Sequence, residues 1–175
     1  MRKSFLMAMF TASSTLYGVA CAETYTLNAF APLVVTGDHS VVTDDGIAKI
    51  AGTMNGPLYI ESDGEQVEGG TMSCKFTLSV DTGTSDEQGV GTCRITFDDG
   101  AVVRADTSCK GIAGKGCDGD FRVTDGTGRF EGASGVGPVT FKTRSKAYRL
   151  GADGNLTEII FGVARWDDFK IKLRD

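Results

Sequence analysis

The chain is poor in the residues that build most active sites: it has one histidine, His39, three prolines and one tryptophan among 175 residues. With one histidine, His-rich metal centres are excluded. No serine stands in a Gly-x-Ser-x-Gly elbow, so the sequence carries no sign of a hydrolase triad. No long segment has apolar residues at helical spacing, which argues against an α or α/β fold. The longest apolar stretch, near Phe5 to Phe10, is far shorter than the roughly 20 residues of a spanning helix, so no membrane span is expected. Basic residues are outnumbered 18 to 23. An acidic surface repels phosphate, and nucleic acid is a poor partner for it.

The apolar stretch near the start has a different meaning. Arg2 and Lys3 precede it, and small and polar residues follow as far as Ala20-Cys21-Ala22. This is the order of a secretory leader, with cleavage expected after Ala22. The expected organisation is a signal peptide over 1–22 and one domain over 23–175, periplasmic or extracellular. The alternative is a lipoprotein cut before Cys21, but Gly18 stands where such sites carry a large aliphatic residue. Losing the leader moves the formal charge from −5 to −7. It leaves 153 residues, enough for a single core.

Four cysteines remain: Cys74, Cys93, Cys109 and Cys117. An even number in an exported chain reads as two disulfides. Neither spacing is Cys-x-x-Cys, so zinc is disfavoured, and no metal or cofactor is expected.

Glycine is abundant, at 24 residues, and Asp-Gly occurs six times: at Asp45, Asp63, Asp99, Asp118, Asp125 and Asp153. Both residues tolerate positive φ, so the dipeptide favours tight turns between antiparallel strands. Between these signals lie short β-rich runs. Expected strands are Tyr25 to Phe30, Leu33 to Thr36, Ile47 to Met54, Pro57 to Glu61, Thr71 to Val80 and Gly91 to Phe97. The series continues with Ala101 to Thr107, Asp120 to Thr124, Pro138 to Arg144, Leu156 to Arg165 and a short piece near Phe169 to Leu173.

Alternation assigns their faces. Met72, Cys74, Phe76, Leu78 and Val80 share one face, and Cys93, Ile95 and Phe97 share another in the next strand. Phe121, Val123, Val139, Phe141, Ile159, Phe161 and Val163 also point inward. Lys75, Arg94, Arg122, Lys142 and Arg144 point outward. Two cysteines on apolar faces of consecutive strands predict a Cys74–Cys93 bridge across a hairpin whose loop lies around Asp81 to Gly89. By elimination Cys109 pairs with Cys117, clamping the glycine-rich loop 110–116. One-sided antiparallel strands can close as a barrel or stack as a sandwich, and periodicity does not choose between them.

One stretch does. Cys109-Lys110-Gly111, Gly116-Cys117-Asp118-Gly119-Asp120-Phe121 and above all Gly126-Thr127-Gly128-Arg129-Phe130, followed by small residues to Gly135, resemble the motif of dirigent proteins and allene oxide cyclase-like barrels, most of all their exported bacterial members. Asp125 stands where that group carries a further glycine. The resemblance spans about Cys74 to Gly137 and implies one all-β domain, an antiparallel barrel of about eight strands, whose interior is either filled or holds one small apolar ligand. The motif residues Gly126, Thr127, Gly128, Arg129 and Phe130 are expected to be structural: the glycines permit positive φ and close strand approach, and Phe130 re-enters the core.

Catalytic chemistry needs a titratable group in a pocket. The candidates are Asp38 and His39, between the early strands, and Arg104 with Asp106, at i and i+2 on one face. Each has a plainer explanation, a solvated loop for the first two and a surface pair for the others. Three functions follow: binding of a small apolar molecule, favoured by the apolar inward faces; a filled barrel acting as a structural or interaction module of the cell envelope; and an isomerase or cyclase, implied only by the resemblance.

Overall fold

A computed structural model describes residues 23–62, 65–150 and 156–174, without the side chains of residues 38–40, 62, 67, 148–150 and 156–158. The expected leader and Cys21 lie outside the described residues. Eight strands follow one another: β1 (Glu23–Val42), β2 (Ile47–Ser62), β3 (Glu65–Asp81), β4 (Asp86–Phe97), β5 (Val102–Ile112), β6 (Gly116–Thr127), β7 (Ser134–Leu150) and β8 (Leu156–Leu173). Each pairs antiparallel with the next, and β8 returns to β1, so the sheet closes as a barrel. Closure removes the unpaired edges that an open sheet must protect.

On β3 and β4 the inward faces are those that alternation assigns. On β3 Met72 and Cys74 are buried, and on β4 so are Cys93, Ile95 and Phe97. Lys75, Arg94, Arg122, Lys142 and Arg144 are exposed on the outside. β8 departs from this reading: alternation places Ile159, Phe161 and Val163 inside, but the strand turns Ile160, Gly162 and Ala164 inward and leaves those three on the outer face, Phe161 40% exposed.

Both disulfides form with the expected partners. Cys74 and Cys93 are direct cross-strand neighbours, with Cα atoms 4.0 Å apart. Cys109 and Cys117 join β5 to β6 diagonally across 5.5 Å. This second bridge does not clamp a long loop, because β5 and β6 run on to Ile112 and from Gly116 and leave only residues 113–115 as the turn.

Several expected breaks are strand interior. Asn55-Gly56 lies within β2, and Asp118-Gly119 and Asp125-Gly126 within β6, so of the described Asp-Gly pairs only those at Asp45 and Asp99 make turns. Gly126 is instead a site of close approach: a Cβ there would collide with Phe130. β8 continues through Asp167-Asp168 because a register shift in its pairing with β1 absorbs the irregularity. Asp168 takes φ +54°, and its N–H donates to Asn28 Oδ1 at 2.8 Å. Aspartate is among the few residues that adopt this conformation readily.

Candidate functional site

The two ends of the barrel differ. At the base lie the chain ends of β1 and β8, the β4–β5 turn and the β6–β7 connection, which contains a single 3-10 turn, Gly128–Phe130. The resemblance motif builds this end. Thr127 Oγ1 accepts the Val102 N–H at 3.2 Å, and Gly128 adopts φ +62°, turning the chain inward. Phe130 is thereby buried, its ring centroid 4.7 Å from that of Phe97. Arg129 covers the pair from outside, with its guanidinium 5.1 Å from the Phe97 centroid and 4.7 Å from that of Phe130. Asp99, at 3.0 Å, and Glu68 hold it there.

Above this plug the interior is packed with Ile171, Phe169, Val103, Ala105, Val123 and their neighbours. Phe121 meets the edges of Trp166 and Phe169, at centroid distances of 5.2 and 6.0 Å. Aromatic groups in this edge-to-face arrangement add about 0.5–1.5 kcal/mol beyond their buried area.

Packing stops at Phe121 and Trp166. Between them and the opposite end, where the β1–β2, β3–β4 and β5–β6 turns gather, lies a cavity of about 580 Å³. That volume falls in the range of about 300–1,000 Å³ typical of small-molecule sites. Its wall is largely apolar, formed by Leu33, Met54, Phe76, Leu78, Phe141 and Ile160 among others. Thr107, whose hydroxyl donates to the Asp120 carbonyl at 3.1 Å, and Thr143 line it, as do Cys93, Cys109 and Cys117. The barrel is therefore neither filled nor hollow throughout. It is a cup, closed at the base by the glycine-arginine motif.

Among the described side chains one ionisable group stands inside. Glu87, 8% exposed, is the buried charged residue among those described, and it lines the cavity. It makes no hydrogen bond among the described residues. Alternation puts it there: Glu87, Gly89, Gly91, Cys93, Ile95 and Phe97 form the inner face of β4. Burial pushes its carboxyl above the usual range, and the charge of Lys146 on β7 pulls only partly the other way. The floor adds a second uncompensated group, the Trp166 indole N–H, which has no acceptor among the described residues. A buried donor without a partner costs about 1–3 kcal/mol.

The raised carboxyl makes a test possible. Because the native state favours the neutral form, the stability it contributes is fully present below the ordinary glutamate range and is lost as pH rises through the raised value. Glu87→Gln keeps the shape and removes the titration. Its melting temperature should match that of the parent in acid and exceed it increasingly toward neutrality. A gap that stays constant across that range in thermal melts would contradict the assignment.

Two of the candidates from sequence lie elsewhere. Arg104 and Asp106 are exposed on the outer face of β5, away from the cavity. Arg104 is ion-paired with Asp125 at 2.7 Å rather than with Asp106. Asp125, where the chain departs from the motif it resembles, thus has a structural partner across a β5–β6 bulge. Asp38 and His39 are not in a loop: β1 runs through them, with a bulge between Gly37 and His39 and His39 opposite Ala51. Their side chains lie outside the described ones. Among the described residues no three His, Cys, Asp or Glu side chains come together as a metal site would need.

No family model matches the chain, and no curated protein matches it. Among solved structures it is similar to a pterocarpan synthase dirigent protein, with 19% sequence identity over 94% of this chain and 99% of that one and a TM-score of 0.40.

Proposed function

We propose that the protein is an exported, non-catalytic binding barrel that holds one small, mainly apolar molecule in its cup. The observation that supports this reading is the cavity of about 580 Å³ with a predominantly apolar wall. Such a wall gains about 25 cal/mol for each Å² of apolar surface taken from water, so a shape-matched apolar body is held without directional contacts. Export is supported by the leader-like start and by two disulfides, which persist in oxidising compartments. An isomerase or cyclase would need a titratable group poised on substrate. Among the described residues Glu87 is the one such group inside and no second acid or base faces it, so binding is the better-supported reading.

The neutral fluorophore N-phenyl-1-naphthylamine tests it. Saturable one-to-one binding is expected, with a change in Trp166 emission, since this single tryptophan is in the floor of the cavity. Thr143→Trp places an indole in the cavity from a partly exposed wall position. It should weaken the fluorophore by at least about tenfold, equivalent to roughly 1.4 kcal/mol, while leaving the melting temperature nearly unchanged. Absence of binding to the parent, or binding indifferent to this plug, would refute the reading.

A further inference from the structure

Resting on the binding reading, we propose that Glu87 selects the head group of the ligand, and that the cup takes small apolar amines in their protonated form. The argument starts from an imbalance in the cavity wall. A carboxylate placed among aliphatic and phenyl groups loses hydration that must be replaced by hydrogen bonds or by an opposite charge. Glu87 has neither at close range among the described residues. On β5 it lies opposite Gly111, which offers no side chain, and on β3 opposite Val80, which offers no polar one.

Among the described residues Lys146 is the cation whose charge acts on Glu87, and it does not close the account. It is exposed at the rim. Its Nζ lies beside the β5–β6 turn, where a Cβ added to Gly114 would be 3.4 Å away. Water and salt screen a charge in that position far more than one within the cavity. Burial therefore outweighs the lysine, and the carboxyl stays raised.

A ligand ammonium seated in the cavity would supply what is missing. It would donate up to three hydrogen bonds and bring its positive charge against Glu87 inside the low-dielectric wall. The rings of Phe76 and Phe141 in the same wall add to a preference for cations. A neutral alcohol would offer one donor and no charge. A carboxylate head would be repelled. The order expected is therefore ammonium, then alcohol, then carboxylate, for one and the same apolar body.

Three adamantane derivatives make the comparison, since they share a rigid apolar body and differ only in the head: adamantane-1-methylamine, adamantane-1-methanol and adamantane-1-carboxylate. Titration calorimetry at neutral pH on the full mature chain should show the amine binding at least tenfold more tightly than the alcohol, and the carboxylate most weakly. In Glu87→Gln the amine and the alcohol should bind within about threefold of each other, with the affinity for the alcohol essentially retained. Equal affinity of the parent for amine and alcohol, or a preference for the carboxylate, would overturn the role of Glu87 while leaving the binding reading intact. Failure of all three to bind, together with failure of the neutral fluorophore, would overturn both. Because the parent alone supplies the ranking, the outcome does not depend on how well the variant folds.

Discussion

Phe130→Ala is expected to lower stability by about 3–5 kcal/mol, the usual cost of removing a buried phenyl ring. At about 2–4 °C per kcal/mol for a chain of this length, that is a fall in melting temperature on the order of 10 °C. Two losses coincide at this position. The ring leaves a void beneath Phe97, against which it packs. The Arg129 guanidinium loses one of the two rings it covers. The same variant should bind the neutral fluorophore nearly as well as the parent at temperatures where it remains folded, because Phe130 is not part of the cavity wall. Melting curves and fluorophore titrations on one preparation decide the matter. A large loss of binding with no loss of stability would show that the motif serves the ligand rather than the base.

Removing the disulfides should produce the other large effect, and in a definite order. The Cys74–Cys93 bridge closes a sequence separation of 19 and Cys109–Cys117 one of 8. Restriction of the unfolded chain grows with loop length, giving about 3 kcal/mol for the first and about 2.5 kcal/mol for the second. Cys74 is also the most deeply buried of the four, 1% exposed, so its loss disturbs packing as well. The double variant Cys74→Ala/Cys93→Ala should therefore melt about 10 °C below the parent, and Cys109→Ala/Cys117→Ala somewhat less far below it. Equal losses, or the reverse order, would mean that both bridges act mainly through the folded state.

Much of this architecture is legible in the sequence, and the omissions have physical causes. The faces of β3 and β4 can be read because Met72, Cys74, Cys93, Ile95 and Phe97 alternate cleanly with polar residues, and the disulfide partners follow from those faces. The choice of barrel over sandwich is not written in any single strand, since it depends on β8 returning to β1. Expected breaks at Asn55-Gly56 and Asp167-Asp168 fail because pairing on both sides of a strand overrides local turn preference. In β8 a register shift takes up the extra residue.

Glu87 is missed for a related reason. The segment 81–89 reads as a loop, and the two inward positions that would extend the face of β4 back to Glu87 are Gly89 and Gly91, which leave no apolar signal. Arg104 and Asp106 attract attention through their spacing, yet spacing on a strand says only that two residues share a face, and theirs is the outer one. The cavity is equally silent in sequence. It arises where inward residues are too small or too sparse to meet across the barrel, a property of four or more strands taken together.

The closed base has a consequence for how this chain can change. Phe97, Phe130 and Arg129 secure one end of the barrel, and Glu87, Thr143 and Gly114 are at the other, with no shared contacts between the two sets. Substitutions at sites without common partners add in free energy to within about 0.3–0.5 kcal/mol. Residues around the mouth can therefore be exchanged, singly or together, without drawing on the interactions that keep the base shut. Such a barrel can acquire a new ligand by drift at its rim while its folding remains the same.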